Sequence, residues 1–307
     1  MHRREVLKSL AFAATGAGIT AASTRSVLAK STAAKTQRNS YFETVDGTTL
    51  FYRDWGTGKP VVFIHSWAAN SDMWQYQMIH LTGNGFRCIA YDRRGHGRSA
   101  DPDHGYEYNT LSDDLAALID HLNLREVVLV GHSMAGGEIV RYLTRHGASR
   151  VARIVLLAPT TPFILKTADN PDGVDKKFLD QIRSAWVKDF PKWLADNTPP
   201  FFSPETSPET MQWGIRMALQ SSLKALIECN HAVTETDFRV EMRKIMVPTL
   251  IIHGDADRSA FIDLTGKQSA KLISGSEFKL YEGAPHGLYI THMDRVDRDL
   301  LAFIKGS

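Results

Sequence analysis

Ser133 sits where a serine can become a nucleophile. The run 127–130 is Val-Val-Leu-Val, short, apolar and β-branched. It passes directly into Gly131-His132-Ser133-Met134-Ala135-Gly136-Gly137-Glu138, which continues as an amphipathic stretch to His146. That is a strand, a sharp turn and a helix in succession. A serine hydroxyl attacks a carbonyl only when a base takes its proton and the side chain is held clear of the backbone, and a tight strand-to-helix turn meets the second condition. Small residues at Gly131 and Ala135 let strand and helix approach, while the helix N-terminus aims amide dipoles at an oxyanion forming beside Ser133. The plain alternative is a serine that caps a helix, but the strand before it and the glycines after it favour acyl transfer. Such chemistry needs a base, and the chain has twelve histidines from which to take it.

The remaining pattern says what holds this turn in place. Short apolar, β-branched runs recur at 61–64, 87–91, 154–157 and 249–252, as fully buried parallel strands do. A last strand is expected at 278–281. Amphipathic stretches at 72–81, 111–122, 136–146, 262–272 and 294–304 separate most of the strands, the βαβ alternation of a parallel sheet covered on both faces. Strand-like runs at 41–45 and 49–52 flank Asp46-Gly47, so the domain opens with an antiparallel hairpin. Residues 160–245 break the rhythm: they contain no convincing strand and are rich in proline and aromatics. They read as a helical cap between two strands. Trp186, Phe190, Trp193, Phe201, Phe202 and Trp213 are candidates for an apolar pocket roof, with Trp186 and Trp213 singled out for substrate contact, although aromatics at helical spacing are mostly core.

Five motifs in order, the Ser133 turn together with His65-Ser66-Trp67, Tyr91-Asp92-Arg93-Arg94-Gly95-His96-Gly97-Arg98-Ser99, His253-Gly254-Asp255-Ala256-Asp257 and Gly283-Ala284-Pro285-His286-Gly287-Leu288, resemble those of the α/β-hydrolase fold. Within that fold they resemble the cofactor-free haloperoxidase and arylesterase group, from about residue 41 to residue 305. The resemblance implies an α/β class chain, an eight-stranded, mostly parallel sheet with helices on both faces and an inserted helical cap. Residues 40–160 and 246–307 would form the core and 161–245 the cap. It implies the chain order nucleophile, acid, base, which Ser133, Asp257 and His286 satisfy. Asp255 is the rival acid, but the resemblance aligns Asp257 with the family acid and leaves Asp255 to loop structure. His286 alone lies between the last expected strand and the terminal helix. His65, His96, His132 and His253 belong to motifs whose usual roles are turn geometry or supporting hydrogen bonds. No spacing among them suggests a metal site. The family pattern assigns the oxyanion hole to the backbone amides of Trp67 and Met134, and no cofactor is implied.

The run of arginines at 93, 94 and 98 could be read as a phosphate clamp. By the resemblance it is a loop beneath the active site whose Asp and Arg residues tie neighbouring loops together. Three departures bear on function. Ser66 and Ala135 stand where relatives often have glycine, Arg258-Ser259-Ala260 replaces a more apolar, proline-containing stretch, and Ala68 stands where relatives with pronounced perhydrolase activity commonly carry proline. Hydrolysis of small carboxylic esters, aryl esters among them, is therefore placed ahead of peracid formation and the halide oxidation that peracid supports. A non-catalytic ligand-binding protein is disfavoured by the intact Ser, Asp and His, and a haloalkane dehalogenase by the absence of a carboxylate at the turn.

Composition narrows the partners. The chain has 307 residues, 43% hydrophobic and 23% charged, a globular composition. Residues 1–38 hold seven Lys/Arg and one Glu, a net +6, so the remainder carries −4 of the chain's formal +2. Such a body has no cation excess for phosphates or anionic headgroups, which argues against nucleic-acid and membrane-surface partners. Only two cysteines, Cys88 and Cys229, are present, too few and too far apart for a disulfide scaffold or a zinc ribbon. Arg3-Arg4 followed by an apolar stretch of about 13 residues resembles a twin-arginine export signal, and is too short for a membrane span of roughly 20. Residues 1–29 are read as this signal, with cleavage after Ala29 or, second, Ala22, and residues 30–39 as a linker. A periplasmic or secreted enzyme acting on a small-molecule ester is expected. Homo-oligomerisation stays open.

Overall fold

The computed structural model describes residues 40–306, so the expected export signal and linker lie outside the described residues. Eight strands form one sheet: β1 (Tyr41–Glu43), β2 (Thr49–Trp55), β3 (Lys59–Ile64), β4 (Phe86–Tyr91), β5 (Val127–His132), β6 (Val151–Leu157), β7 (Thr249–Gly254) and β8 (Glu277–Tyr281). Their spatial order is β1-β2-β4-β3-β5-β6-β7-β8. The β1–β2 and β2–β4 pairs are antiparallel, and every pair from β4 to β8 is parallel. The helices are α1 (Gln75–Gly83), α2 (Tyr108–His121), α3 (Ala135–His146), α4 (Lys176–Asn197), α5 (Pro208–Ala218), α6 (Leu223–Glu235), α7 (Arg239–Met242), α8 (Gly266–Leu272), α9 (Leu288–Thr291) and α10 (Met293–Lys305).

Side chains that alternate along each strand feed two cores, which is why the central strands read as unbroken apolar runs. Val62, Ile64, Leu129, Ile154, Leu156 and Ile251 pack with residues of α2 and α3. Val61, Phe63, Val128, Val130, Val155, Leu157 and Ile252 pack on the other face with residues of α1 and α10. α4 to α7 fill the stretch between β6 and β7, with a break in α4 at Asp189 just ahead of Pro191, whose ring cannot continue the helical ladder. Among the described residues no helix is long and apolar enough to cross a membrane. Cys88 and Cys229 are free thiols in the interior, with burial pushing both up to about 12.

Three elements differ in extent from the expectation, each for a local reason. The first strand stops at Glu43, because Asp46 Oδ1 accepts from the Thr44 hydroxyl at 2.6 Å and from the Thr48 amide at 3.1 Å, closing a turn that throws Val45 into solvent. The helix expected over 72–81 begins as a 3-10 turn, Ser71–Trp74, capped by the Asn70 side chain on the Asp72 amide. The helix expected from 262 begins only at Gly266, where the backbone passes so close to His253 that a Cβ would lie 2.3 Å from its Nδ1.

The sheet order puts the functional loops side by side. β3 and β5 are neighbours, with Ile64 paired to Gly131, so the loops after their carboxyl ends meet where the strand order reverses. That switch point is the place where an open parallel sheet leaves a crevice. The approach of β7 to the loop after β8 is equally close, since a Cβ on Gly254 would fall 2.0 Å from the Ala284 carbonyl oxygen. Gly254→Ala is expected to lower stability by about 1–3 kcal/mol or more through overpacking against backbone. Gly83→Ala, at a helical position with nothing within 4 Å of the added Cβ, is expected to be neutral or stabilising by about 0.5–1 kcal/mol. Urea unfolding midpoints of the two variants test the contrast.

Candidate active site

Ser133 lies directly beyond β5 in a left-handed backbone conformation, φ +59°, that a residue with a Cβ rarely adopts. Its amide donates to the Leu157 carbonyl at 2.9 Å, and its carbonyl accepts from Gly136 at 3.0 Å and Thr160 at 3.3 Å, so both sides of the turn are hydrogen-bonded. Glycine is required at the flanks by contact. A Cβ on Gly131 would meet Ile139 at 2.7 Å and Ala135 at 2.9 Å, and one on Gly137 would meet Tyr108 at 2.5 Å. Ala135 fills the space between strand and helix without displacing either. Ser133 is 5% exposed.

Asp257 and His286 meet beside this turn. Asp257 follows β7 and His286 follows β8, and His286 Nδ1 lies 2.7 Å from Asp257 Oδ2. The other carboxylate oxygen accepts from the Ser259 and Ala260 amides, both at 2.8 Å. Burial pushes the Asp257 carboxyl up, but the His286 and His253 rings outweigh it and hold the group well below the usual carboxylate range. A carboxylate on Nδ1 requires the proton there, which leaves Nε2 of His286 as a lone-pair acceptor. Asp255 Oδ1 accepts from the Gly283 amide at 2.6 Å, tying the β7 and β8 loops together.

The serine turn is joined to the histidine loop by His132. Its Nε2 donates to the His286 carbonyl at 2.8 Å, and the two rings lie 4.7 Å apart between centroids. Residue 133 and residue 286 are therefore brought to the same end of the sheet. Burial and the neighbouring His286 push His132 down to about 3, so it serves as a neutral strut. Phe201, between α4 and α5, closes the outer side, its ring 5.4 Å from that of His286 and its carbonyl accepting from the Gly287 amide at 2.8 Å.

The Trp67 loop lies across the same end. Neither the Trp67 amide nor the Met134 amide donates to a described residue, and Met134 is held by its carbonyl, which accepts from the Tyr108 hydroxyl at 2.9 Å. The Trp67 indole donates to the Leu226 carbonyl at 2.8 Å and lies tilted against Trp186 with ring centroids 4.6 Å apart, with Phe190 and Trp193 edge-on. Beneath it, Arg93 is fully buried. It donates from Nη2 to the His65 carbonyl at 2.9 Å, from its amide to His65 Nε2 at 2.9 Å and from Nε to Glu138 at 2.8 Å. Arg94 pairs with Asp114 at 2.6 Å, and Asp92 holds Arg98 at 2.8 Å. These guanidinium groups are engaged by protein carboxylates. Trp186 is thus at the Trp67 loop, whereas the Trp213 ring packs edge-on to Tyr76 of α1, and no described ring contact joins it to Ser133, Asp257 or His286.

The profile of the α/β hydrolase fold matches residues 59–205. A non-haem chloroperoxidase of Kitasatospora aureofaciens is 40% identical over 268 residues, covering 85% of this chain and 98% of that relative. The chain belongs to the α/β-hydrolase family. A bifunctional esterase/perhydrolase of Acinetobacter calcoaceticus is 36% identical, covering 86% of this chain and 99% of its own. An esterase of Exiguobacterium antarcticum superposes with a TM-score of 0.84 at 32% identity, covering 87% of this chain and 99% of that one. In this α/β-hydrolase the parts that sequence reasoning left undefined are the contacts of His132, His253 and Phe201 with the Asp257–His286 pair. Their motifs flagged the histidines only as supporting residues, and nothing in the helical spacing separated Phe201 from its aromatic neighbours.

Several buried histidines set an acid limit on the fold. His65 is pushed well below its ordinary value by burial and Arg93, His96 to about 4 by burial and Arg93, and His132 to about 3. Each is neutral in the fold and takes a proton in the unfolded chain below pH ~6.5, so the unfolded state binds more protons and stability falls with pH from there toward the folded values. At pH 5 each depressed histidine is expected to remove about 2 kcal/mol relative to pH 7. Denaturant titrations at the two pH values, with His96→Gln reducing the difference, measure it.

Proposed function

We propose that this protein is an exported serine esterase that cleaves small carboxylic esters through a covalent acyl-enzyme. The reading rests on one observation above all: the Asp257–His286 hydrogen bond, set beside a serine held in a left-handed turn. Ser133 Oγ attacks the ester carbonyl carbon, His286 Nε2 takes its proton, and Asp257 keeps the proton on Nδ1 and stabilises the imidazolium. The carbonyl oxygen becomes an oxyanion, received by the amides of Trp67 and Met134, whose lack of protein acceptors suits that role. The tetrahedral intermediate collapses, and the alkoxide leaves with the proton from His286. Water then enters, gives its proton to His286, attacks the acyl carbon and releases the acid, restoring Ser133.

The wall beside the oxyanion loop is aromatic, made by Trp67, Trp186, Phe190 and Trp193, which suits an apolar or aryl group rather than a charged one. In a second reading, hydrogen peroxide replaces water at the acyl-enzyme and gives a peracid. The relatives named as chloroperoxidase and esterase/perhydrolase support it. It is placed second because Ala68 has φ +52°, a conformation closed to the proline found there in perhydrolytic relatives, whose ring requires φ near −65°.

An ester panel graded in acyl and alcohol size, run with and without peroxide, separates the two readings, with hydrolysis expected to exceed peracid formation from carboxylic acid and peroxide. Ser133→Ala is expected to lose at least roughly 10⁴-fold in kcat and all labelling by a fluorophosphonate, and Asp257→Asn about 10⁴-fold with the fold intact. An alanine variant as active as the parent sinks the mechanism.

Export through a twin-arginine route rests on Arg3-Arg4 and the apolar stretch behind them. Replacing both arginines by lysine should hold the enzyme inside a bacterial host, while the parent appears processed in the periplasmic or culture fraction. Equal processing of both sinks the assignment.

A further inference from the structure

Asp257 is served by two imidazoles, and only one of them belongs to the proposed triad. His253, two residues before Asp255 on β7, is fully buried, and its Nε2 lies 3.1 Å from Asp257 Oδ2, the oxygen that also receives His286. The same Nε2 lies 2.8 Å from the Ala260 carbonyl, an acceptor only, so the His253 proton must sit on Nε2 and point to that carbonyl, with the carboxylate oxygen 3.1 Å away beside it. The imidazole is tightly enclosed. Its Nδ1 is buried without a partner and faces Gly266, where even a Cβ would approach to 2.3 Å. A proton on Nδ1 would find no acceptor there, so the hydrogen bonding favours the tautomer with the proton on Nε2. Ala260 closes the circuit, its amide donating to Asp257 Oδ1 while its carbonyl accepts from His253.

We propose that His253 is a positioning residue of the triad, which locks the Asp257 carboxylate in plane and, by sharing Oδ2 with His286, limits how tightly His286 holds a proton. The inference rests on the serine esterase reading. With the Ser259 and Ala260 amides on one oxygen, His286 on the other and His253 Nε2 3.1 Å from that second oxygen, the carboxylate has one orientation. A donor that competes for Oδ2 withdraws part of the charge that would otherwise favour the imidazolium form of His286. The other titratable groups packed about this pair are His132 on the β5 side and Tyr289 of α9, whose ring lies 5.3 Å from His132. Burial lowers the first and raises the second, so both are neutral between pH 5 and 9. Asp255 is turned away onto Gly283. Asp257 stays ionised throughout that range.

The test is the pH profile of kcat/KM for a small aryl ester in the parent, His253→Leu and His253→Gln. The leucine variant removes the donor, and its acid limb is expected to move to higher pH by about 0.5–1 unit, with kcat falling several-fold while KM changes little. Glutamine restores an N–H near the Nε2 position, and its limb is expected to return to that of the parent. If both variants lose activity equally with the parent's limb unchanged, His253 is packing alone and the proposal fails. Nitrogen-15 NMR of the parent gives an answer that no variant's folding can spoil. His253 should keep a single neutral, Nε2-protonated form across the range in which activity titrates, and an Nδ1-protonated or titrating His253 overturns the proposal. Fluorophosphonate labelling of Ser133 in the parent separates the two levels: a failure there sinks the esterase reading itself, whereas labelling with an unmoved limb sinks only the role of His253.

Discussion

A residue with a side chain at φ +59° carries a backbone cost of roughly 1–2 kcal/mol relative to the ordinary regions. Ser133 adopts that conformation because the chain around it leaves no other path. Its amide is committed to Leu157 on β6 and its carbonyl to Gly136 and Thr160, while strand β5 and helix α3 approach until only glycine fits at 131, and Tyr108 of α2 and Phe238 leave room only for glycine at 137. The strain is local and the restraint is distributed over β5, β6, α2 and α3. That is how a hydroxyl comes to project from the end of a sheet rather than settle back onto a helix as a cap.

The polar network under the site obeys the same logic at higher electrostatic cost. Arg93 and Glu138 are both fully buried, and taking two charges from water is expensive unless every donor and acceptor finds a partner. Here the guanidinium also binds the His65 carbonyl, and Glu138 also receives the Tyr91 hydroxyl. The ion pair thus ties the loop after β3, the loop after β4 and the first turn of α3 into one unit. The Trp67 amide and the Ser133 turn share this support, so their spacing follows from a common set of buried bonds. On the far side, His132 and Phe201 brace the His286 loop against β5 and against the segment between α4 and α5. Few of these contacts are between neighbours in sequence.

The helices between β6 and β7 contribute packing more than chemistry. α4 brings Trp186, Phe190 and Trp193 onto Trp67, and α6 brings the Leu226 carbonyl to its indole. The Trp67 loop is thereby gripped from above by aromatic area and from below by Arg93. An aromatic ring loses little conformational freedom when buried, so these rings make a stiff wall next to the Trp67 loop.

Much of this was legible in the chain itself. Unbroken apolar, β-branched runs announced strands buried on both faces. The glycines about Ser133 announced a turn, and the order of Ser133, Asp257 and His286 announced which loops would converge. Those signals are local or ordinal: periodicity carries the strands and the turn, and the resemblance to the α/β-hydrolase fold carries the order of the three residues. Element ends were less legible where a side chain intervened, as when Asp46 closed the first hairpin early and His253 delayed α8 to Gly266. Which of the roof aromatics would reach the site was beyond periodicity, because Trp186, Phe201 and Trp213 look alike in sequence and are sorted by the kink in α4 and the paths of the loops around it. The double use of Asp257 by His286 and His253 likewise belongs to the tertiary structure alone. Hydrogen bonds of that kind depend on ångström distances between strands that the sequence sets only in order, and sheet pairing is what turns order into distance.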